Sequence, residues 1–294
     1  MSLRAEAFAK TNRAILVVGK RPDGYHDLDT VFQSIDLTDR IEVEESDSVI
    51  LECDDPRLPA GPENLICRAA SALAKACGVR AGARIRLEKR IPVGAGLGGG
   101  SSDCAIALVL LSRLWEIEAG LDSLREIGAG IGSDVAFFFQ GGSARGTGRG
   151  EILTPLSDGP DRVLVLVVPP FPISTAAVYS RWRAGSAAHR PSDPIPGAYF
   201  GVNELASAVL ETNPEMARYL DAVAKFLPDC QISGSGSSIV ASAAEGCQID
   251  SILSGLRDEL PAARVRLARS VSRREYWKRT TLDGFESSKK VGAS

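Results

Sequence analysis

The residues with the clearest chemical potential form a glycine-rich segment, Pro92–Ser102, which reads PVGAGLGGGSS. Glycines let the backbone approach a ligand closely with its N–H groups turned inward. A helical pattern follows at Ser102–Trp115, and the free N–H groups and dipole at a helix start attract anions. Ser101 and Ser102 add hydroxyls that could bond phosphate or a Mg²⁺-bound water. The segment therefore predicts a site for a di- or triphosphate.

Three interpretations of the glycine segment remain open at this point. It could be a turn without a ligand, although so many glycines would weaken a purely structural loop. The spacing Gly94-x-Gly96-x-x-Gly99 matches the dinucleotide-binding fingerprint, but it follows a proline and does not begin at the first strand of a βαβ unit. A Walker loop is excluded, because no Gly-Lys-Ser/Thr follows the glycines. The third possibility is the glycine-rich loop of a different kinase superfamily.

Two charged residues stand at the start of apolar runs. Asp134 precedes VAFFF, which we interpret as a strand, and a carboxylate entering an apolar strand should be partnered or functional. A turn or helix-capping role for this residue is the alternative. Lys10 precedes the apolar strand Arg13–Gly19, and from the sequence alone a lysine there is more often solvated.

Composition narrows the class of protein. The 294 residues carry a net charge of −3, which argues against general affinity for nucleic acid or anionic membranes. Six cysteines without a C-x-x-C pair, together with two histidines, make a Cys/His metal site improbable and are typical of reduced core thiols. No apolar run is long enough for a signal peptide or a membrane span, so we expect a cytoplasmic protein.

Apolar periodicity predicts strands and helices without regular βαβ alternation, which indicates an α+β fold. Strands are predicted over Arg13–Gly19, Ser34–Glu45, Ser48–Cys53, Ala83–Glu88, Arg162–Val168 and near Ala263–Leu267. Helices are predicted over Pro62–Cys77 (ended by Gly78), Ser102–Trp115, Leu121–Gly128, Ser174–Arg183, Asn203–Leu210, Asn213–Phe226 and Ile249–Glu259.

Less regular segments separate these elements. Arg21–Tyr25 (RPDGY) is a predicted turn, and Ala184–Ala198 a predicted loop. Gly141–Gly150 contains five glycines, so we expect it to be flexible and to divide residues 1–150 from residues 151–294. The polar tail after Arg274 is expected to be partly disordered.

Three motifs together resemble the GHMP kinases, a family that includes galactokinase, homoserine kinase and mevalonate kinase. The first is Ala7–Asn12 (AFAKTN), the second is Pro92–Ser102 before its helix, and the third is the turn Ile232–Ser238 (ISGSGSS). The resemblance implies a ribosomal protein S5 domain 2-like N-terminal domain and a ferredoxin-like C-terminal domain, with the active site in the cleft between them.

Four further motifs resemble one member of that family in particular. They are Arg21–His26 (RPDGYH), Glu63–Leu65, Gly132–Val135 and Gly146–Glu151. That member uses ATP to phosphorylate a cytidine-diphosphate sugar alcohol in the non-mevalonate isoprenoid pathway. Another GHMP kinase, for homoserine or mevalonate, is the alternative, and it would need no cytosine clamp. A non-catalytic nucleotide-binding regulator is a further alternative, although Lys10 and Asp134 are both present.

The resemblance implies a role for each matching residue. Asp134 would be the general base and Lys10 would lie beside it. The acceptor substrate would meet Asn12, Tyr25, His26, Thr175, Tyr179, Gly234 and Gly236, with the two tyrosines stacking on cytosine and His26 at the edge of the base. ATP would meet Asn64, Leu65, Lys89, Pro92, Gly94, Gly96, Leu97, Gly98, Gly99, Gly100, Ser101 and Ser102.

Cofactor and partner expectations follow from the same resemblance. Mg²⁺ would be held largely by phosphates and water, with Ser101 or Ser102 within reach and no dedicated metal-ligand set. We expect small-molecule substrates only, and a monomer or weak homodimer. Three positions depart from the family pattern: Arg13 and Ala136 replace an apolar residue and a proline, and Tyr179 stands where phenylalanine is frequent.

Overall fold

The computed structural model describes residues 2–184 and 199–285, which form two β-sheets with helices packed on them. Helices and strands do not alternate regularly along the chain, so the predicted α+β class is confirmed. No helix in these residues is both long and apolar enough to span a membrane. The expected loop over Ala184–Ala198 lies almost entirely outside the described residues.

The first sheet contains β1 (Ser2–Lys20), β2 (His26–Ser46), β3 (Val49–Cys53), β4 (Gly82–Glu88), β5 (Ser143–Gly148) and β6 (Ile152–Pro155). Its order is β3-β4-β2-β5-β6, and β1 also pairs with β2. The β3–β4 pair is parallel, and the other described pairs are antiparallel. The second sheet contains β7 (Val163–Val168), β8 (Cys230–Ile232), β9 (Ile239–Ser242) and β10 (Arg264–Arg269), in the antiparallel order β10-β7-β9-β8.

Each sheet has its own helices and its own apolar core. The helices are α1 (Leu65–Cys77), α2 (Gly99–Leu114), α3 (Leu121–Ile131), α4 (Thr175–Arg181), α5 (Ala206–Thr212), α6 (Glu215–Phe226), α7 (Ile249–Glu259) and α8 (Arg273–Arg279). The first core joins the first sheet to α1, α2, α3 and α8. The second core joins the second sheet to α4, α5, α6 and α7.

The long β1–β2 hairpin crosses from one core to the other. Ala7 and Phe8 lie in the first core, whereas Ile15 and Val17 lie in the second. Register shifts after Phe8, after Asn12 and after Val17 bend the hairpin between these parts. The predicted strand Arg13–Gly19 is therefore only the second half of β1, because the polar stretch from Lys10 to Asn12 interrupts the apolar pattern.

Helix α2 is more deeply buried than its sequence pattern predicts. We expected one apolar face, but nearly every residue from Ser102 to Leu114 is buried. The helix packs against α1 and α3 as well as the first sheet. An apolar stripe alone does not indicate how many neighbours a helix has, which explains the difference.

Two expectations from the sequence are wrong. The apolar run after Asp134 is a 3₁₀-helix, Ser133–Phe139, and its residues from Val135 onward are buried; a short apolar run does not distinguish helix from strand. Part of Gly141–Gly150 is not a flexible linker, since it forms β5, paired with β2 and β6. The polar tail forms α8 and a 3₁₀-turn, Leu282–Phe285, and residues 286–294 lie outside the described part, so its partial disorder stays a prediction.

The remaining predicted helices and strands are present. Most of their ends differ by a few residues, but β2 begins at His26, eight residues before the predicted start at Ser34. Asn64 caps α1 by accepting a hydrogen bond from the Ile66 N–H at 2.9 Å, and the left-handed Gly78 ends this helix. The β5–β6 hairpin spans Gly150, and a division of the chain into two domains at that residue stays a prediction.

Gly141 offers a test of how α8 packs. Its φ is +61°, and a Cβ there would lie inside van der Waals contact of the Tyr276 ring. We expect Gly141→Ala to lower the free energy of unfolding by about 2–4 kcal/mol, from backbone strain and overpacking. Urea denaturation followed by circular dichroism measures the change.

Gly130→Ala is the matched control, because no described atom lies within 4 Å of a Cβ at this position inside α3. It should be neutral or should stabilise by about 0.5–1 kcal/mol. Equal stability of the two variants would contradict the packing of Tyr276 on Gly141.

Candidate active site

A cleft of about 450 Å³ opens between the two sheets. It adjoins a second cavity of about 920 Å³, which is lined by Tyr25, His26, Arg149 and Trp182 among others. The residues that line both cavities are Leu28, Ser101, Asp134, Thr175 and Tyr179. Asp134 therefore lies where the two cavities meet.

The structure brings Lys10 and Asp134 together. The Nζ atom of Lys10 lies 3.4 Å from Oδ2 of Asp134, and the two side chains are 6% and 37% exposed. Lys10 also donates to Oδ1 of Asn12 at 2.7 Å, and Asn12 donates to the Thr30 hydroxyl at 2.8 Å. The ammonium is thus fixed among neighbours, while the carboxylate keeps an open side toward the cavities.

The local backbone explains where Lys10 points. Register shifts of β1 flank the stretch Ala9–Asn12, and within it Lys10 and Asn12, two residues apart, face the same side. The Lys10 N–H donates to the Leu97 carbonyl at 2.9 Å. This strand is therefore bonded directly to the glycine segment.

The glycine segment adopts the conformation that its composition predicts. Gly94, Gly96 and Gly98 have φ values of +67°, +75° and +71°, which L residues rarely adopt. A Cβ at Gly98 would lie 2.8 Å from the Phe138 ring and 3.0 Å from the Lys10 stem. Helix α2 begins at Gly99 rather than Ser102, so the N–H groups left free at its first turn include those of Gly99, Gly100 and Ser101, which line the cleft.

The two serines of the segment have different surroundings. Ser101 lines both cavities. Ser102 is fully buried, and its hydroxyl has no hydrogen-bond partner among the described residues. Of the two hydroxyls that the sequence left equivalent, only that of Ser101 faces the cleft.

The turn Ile232–Ser238 docks on the glycine segment. Ser233 Oγ donates to the Gly96 carbonyl at 3.0 Å, and the Ser238 N–H donates to the Ala95 carbonyl at 3.0 Å. Gly234 lines the cleft, and a Cβ there would lie 3.3 Å from Oδ1 of Asn12. A Cβ at Gly236 would instead meet apolar residues of the second core, so the structure does not bring this predicted site residue to the cleft.

Thr175 has a partner that sequence reasoning missed. Its hydroxyl lies 2.8 Å from that of Ser235, and both residues line the cleft. Ser235 lies between the two glycines of the third motif, and this position could have indicated that it belongs to the site.

The second cavity is aromatic and basic. The His26 and Tyr179 rings stack at 5.1 Å, and Trp182 meets His26 edge-on at 5.6 Å. Tyr25 is more exposed, with the Arg149 guanidinium 4.9 Å from its ring centroid. Burial and, secondarily, the nearby Lys20 charge lower the pKa of His26. Sequence reasoning missed Trp182 and Arg149, although Trp182 follows Tyr179 by one helical turn.

The other side of the cleft is more apolar. Leu58, Pro59, Leu65 and Leu87 line it together with Asn64. The Asn64 side chain donates to the Pro59 carbonyl at 2.8 Å while it caps α1. Its polar atoms therefore already have protein partners.

Lys89 belongs to a buried charge cluster, which we define as Asp39, Lys89 and Asp103. The Lys89 ammonium is paired with both carboxylates, at 2.8 Å for Asp103. One Asp39 oxygen also accepts hydrogen bonds from the Arg90 and Ile91 N–H groups at 2.5 and 2.8 Å. The cluster thus joins the residues just before the glycine segment to Asp103 in α2, just after it.

This cluster changes the interpretation of Lys89. The residue lines the cleft as predicted, but its side chain is only 4% exposed and its charge is held by the two carboxylates. It is therefore not a free cation. Asp39 and Asp103 were missed. Asp103 directly precedes an apolar helical run, which was the available signal. Asp39 lies between Thr38 and Arg40, and this polar stretch gave no comparable signal.

Burial raises the pKa of the Asp103 carboxyl to about 8, assisted by the Asp39 charge and partly offset by Lys89. Burial alone would lower the pKa of Lys89, but the Asp103 and Asp39 charges outweigh it and raise that pKa. One ammonium cannot neutralise two buried carboxylates, so a proton retained on Asp103 balances the cluster at neutral pH.

Oxygen donors for a metal ion are few at the cleft. No group of three or more His, Cys, Asp or Glu side chains in residues 2–184 and 199–285 could hold one. The Asp134 carboxylate and the Ser101 hydroxyl are available. These residues fit a Mg²⁺ ion that takes most of its ligands from bound phosphates and water.

The charge cluster predicts a pH dependence of stability. Because the pKa of Asp103 is raised on folding to about 8, the folded chain holds a proton that the unfolded chain releases from about pH 4 upward. The free energy of unfolding should therefore fall as the pH rises from about 4 to about 8. Asp103→Asn removes the titration, so wild type should lose up to about 1.4 kcal/mol per pH unit relative to this variant.

Chemical denaturation at several pH values between about 5 and 8 measures this difference. Asp122→Asn is the control, because the Asp122 side chain is 74% exposed. The difference in unfolding free energy between this variant and wild type should not change with pH. A pH-independent difference between wild type and Asp103→Asn would contradict the retained proton.

Comparisons with known proteins identify relatives of this chain. The family model described as GHMP kinases N terminal domain matches residues 64–142, which contain the glycine segment and Asp134. A solved structure of 4-(cytidine 5'-diphospho)-2C-methyl-D-erythritol kinase superposes with a TM-score of 0.73 at 33% identity, and the match covers 91% of this chain and 99% of that one.

Two curated relatives carry the name 4-diphosphocytidyl-2-C-methyl-D-erythritol kinase. The one from Pelotomaculum thermopropionicum is 49% identical over 187 residues, covering 63% of this chain and 65% of that protein, just under two thirds of its length. The one from Geobacillus thermodenitrificans is 38% identical over 271 residues, covering 87% of this chain and 93% of that protein. Matches of this extent show that the chain belongs to the GHMP kinases.

Proposed function

We propose that the chain transfers the γ-phosphoryl group of ATP to the 2-hydroxyl of 4-diphosphocytidyl-2-C-methyl-D-erythritol, in the methylerythritol phosphate route to isoprenoid precursors. The observation that carries this proposal is the Lys10–Asp134 pair, which lies where a glycine-lined cleft meets an aromatic cavity. The names of the relatives support the choice of acceptor.

The glycine-lined cleft would hold ATP. Free N–H groups of the first turn of α2 and its dipole favour the phosphates, and the apolar side near Leu58 and Leu65 suits the adenine ring. Mg²⁺, bound through the phosphates and reached by Ser101, would neutralise charge that develops during transfer. The asparagine cap of α1 and the charge cluster would keep the walls of this cleft fixed.

Asp134 would act as the general base. Its carboxylate would accept the proton of the acceptor hydroxyl as that oxygen bonds to the γ-phosphorus and the bond to the ADP oxygen breaks. Lys10 would orient this carboxylate and stabilise negative charge on the reacting oxygens. Its hydrogen bond to Asn12 limits the positions that the ammonium can take.

The aromatic cavity would bind the cytidine end. Tyr25, His26 and Tyr179 offer ring faces for a pyrimidine. Because its pKa is lowered, His26 would be neutral near pH 7, with one nitrogen that donates and one that accepts toward the base edge. In the structure the His26 ring lies on one face of Tyr179, so cytosine could stack on that face only if His26 turned aside.

The size of this cavity favours a nucleotide-linked acceptor over a small one. Homoserine and mevalonate carry no base, and an aromatic cavity of about 920 Å³ would offer them few contacts. A test of ATP-dependent ADP release with four alcohols decides between these acceptors: the diphosphocytidyl substrate, homoserine, mevalonate and galactose. We expect turnover with the first alone, and turnover with any other alcohol instead would overturn the assignment.

Asp134→Ala tests the base. We expect kcat to fall by about 10²–10⁴-fold, because the proton acceptor is lost, whereas ATP affinity should persist, since the glycine segment is unchanged. Coupled ADP release and calorimetry measure the two quantities. Asp250→Ala, at an exposed position in α7, is the control and should keep full activity. Near-normal turnover of Asp134→Ala would remove this residue from the base role.

Gly100→Val tests the phosphate site. Gly100 lines the cleft, and the nearest described atom to a Cβ there is the Leu65 methyl at 3.5 Å, so the protein itself has room for a side chain. The branched group should instead meet the phosphates, and ATP affinity should weaken at least about tenfold, or about 1.4 kcal/mol. Calorimetry measures it.

Gly159→Val is the matched control, because a Cβ there meets no described atom within 4 Å and the residue lies outside the cleft. Its ATP affinity should equal that of wild type. Unchanged ATP affinity in Gly100→Val would argue that the phosphates bind elsewhere.

A further inference from the structure

The segment Ser272–Phe285, here called the C-terminal clamp, returns to the first core after the second sheet is complete. It contains α8 and the last described 3₁₀-turn. Tyr276 is fully buried, and its ring lies 5.1 Å from that of Phe8 on β1. Nothing in the proposed mechanism uses these residues.

Side chains of the clamp bond to the backbone that leaves the 3₁₀-helix carrying Asp134. Tyr276 Oη donates to the Phe138 carbonyl at 2.6 Å, and Trp277 Nε1 donates to the Gln140 carbonyl at 2.8 Å. Arg273 donates to the Ser143 carbonyl at 2.7 Å. The last carbonyls of a helix lack partners within it, so the clamp supplies donors where this helix ends.

A second contact reaches the strand that carries Lys10. The Arg279 guanidinium donates to both Glu6 oxygens, at 2.6 and 3.1 Å, and lies 4.6 Å from the Phe8 ring centroid. The hydrogen bond from Arg279 lowers the pKa of Glu6. Glu6 and Phe8 precede Lys10 on β1, so one short segment holds both elements that bear the pair.

Phe138 connects the clamp to the cleft. Its carbonyl accepts from Tyr276, while its ring lies beside Gly98 together with the Lys10 stem, at 2.8 and 3.0 Å from a Cβ built there. A shift of this backbone would therefore move the ring against Lys10 and would move the 3₁₀-helix that carries Asp134.

We propose that the C-terminal clamp positions the Lys10–Asp134 pair. Tyr276 is the principal positioning residue of the clamp, and it acts through its hydroxyl. This inference rests on the proposed roles of Lys10 and Asp134. Simple core packing would need only the Tyr276 ring. The polar contacts that we describe reach the exit of the 3₁₀-helix and β1, which a packing role alone does not require.

Tyr276→Phe separates these two roles, because it keeps the ring and removes the hydroxyl. Without the hydroxyl, the buried Phe138 carbonyl loses its donor, and the 3₁₀-helix can shift relative to Lys10. We expect kcat per ATP-binding site to fall about ten- to hundredfold, because small misplacements of reacting groups cost that much. The dissociation constant for ATP should stay unchanged.

Calorimetric titration with ATP counts the competent sites, so that loss of folded protein is not mistaken for loss of kcat. Tyr219→Phe is the matched control: this tyrosine is also buried, but it lies in the second core, and its kcat per site should equal that of wild type. Trp277→Phe removes the neighbouring hydrogen bond from a partly buried side chain. If Tyr276→Phe reduces the number of ATP-binding sites, Trp277→Phe replaces it as the test, and we expect the same loss of kcat per site.

The kcat ratio is measured on whichever alcohol the wild-type chain phosphorylates, so failure of the proposed acceptor and failure of this inference are separate results. A tenfold or greater loss of kcat per site in Tyr276→Phe or Trp277→Phe, with unchanged ATP affinity, supports the inference. Wild-type kcat per site in both variants, or an equal loss in Tyr219→Phe, would overturn it.

Discussion

The ammonium of Lys10 is buried, and the surrounding fold must compensate its charge. With the side chain only 6% exposed, the charge has little water around it, and an unpaired charge in such surroundings is strongly unfavourable. It is compensated by Asp134 at 3.4 Å, by Asn12 at 2.7 Å and by the Phe32 ring at 5.6 Å. These groups come from β1, β2 and the 3₁₀-helix, so the arrangement that accommodates the charge is also the one that assembles the site.

The glycine segment is held to the same frame on both sides. β1 bonds to it through the Lys10 N–H and the Leu97 carbonyl, and the turn Ile232–Ser238 bonds to it through Ser233 and Ser238. The charge cluster of Asp39, Lys89 and Asp103 joins its entry to its exit. The cleft proposed for phosphates and the carboxylate proposed as base therefore share one set of supports from both cores.

Much of this site could be predicted from local sequence. The glycine segment has the composition that left-handed φ values and close backbone approach require, and the structure bears this out at Gly94, Gly96 and Gly98. The motifs also indicated that Lys10 and Asp134 would meet. The contacts that fix them could not be predicted, because they join residues far apart in the chain: Asp39 with Asp103, Ser233 with Gly96, and Tyr276 with Phe138.

The wrong predictions have the same origin. A short apolar run such as VAFFF satisfies a strand or a helix equally well until its neighbours are known. The glycines after Gly141 suggest a flexible segment when the sequence is considered alone. In the structure they allow close packing instead, since a Cβ at Gly146 would lie 2.6 Å from the Phe32 ring. The polar composition beyond Arg274 also does not indicate α8, because Tyr276 and Trp277 donate to the carbonyls of Phe138 and Gln140, which are distant in the chain.

The ³¹P NMR spectrum of the protein incubated with ATP, Mg²⁺ and 4-diphosphocytidyl-2-C-methyl-D-erythritol shows directly whether the γ-phosphoryl group reaches the acceptor hydroxyl. If Asp134 and Lys10 direct the γ-phosphoryl group to the acceptor hydroxyl, a phosphomonoester resonance should appear in the same amount as ADP, while the diphosphate resonances of the acceptor persist. Inorganic phosphate in place of the phosphomonoester, or ATP that stays unchanged, would contradict the account.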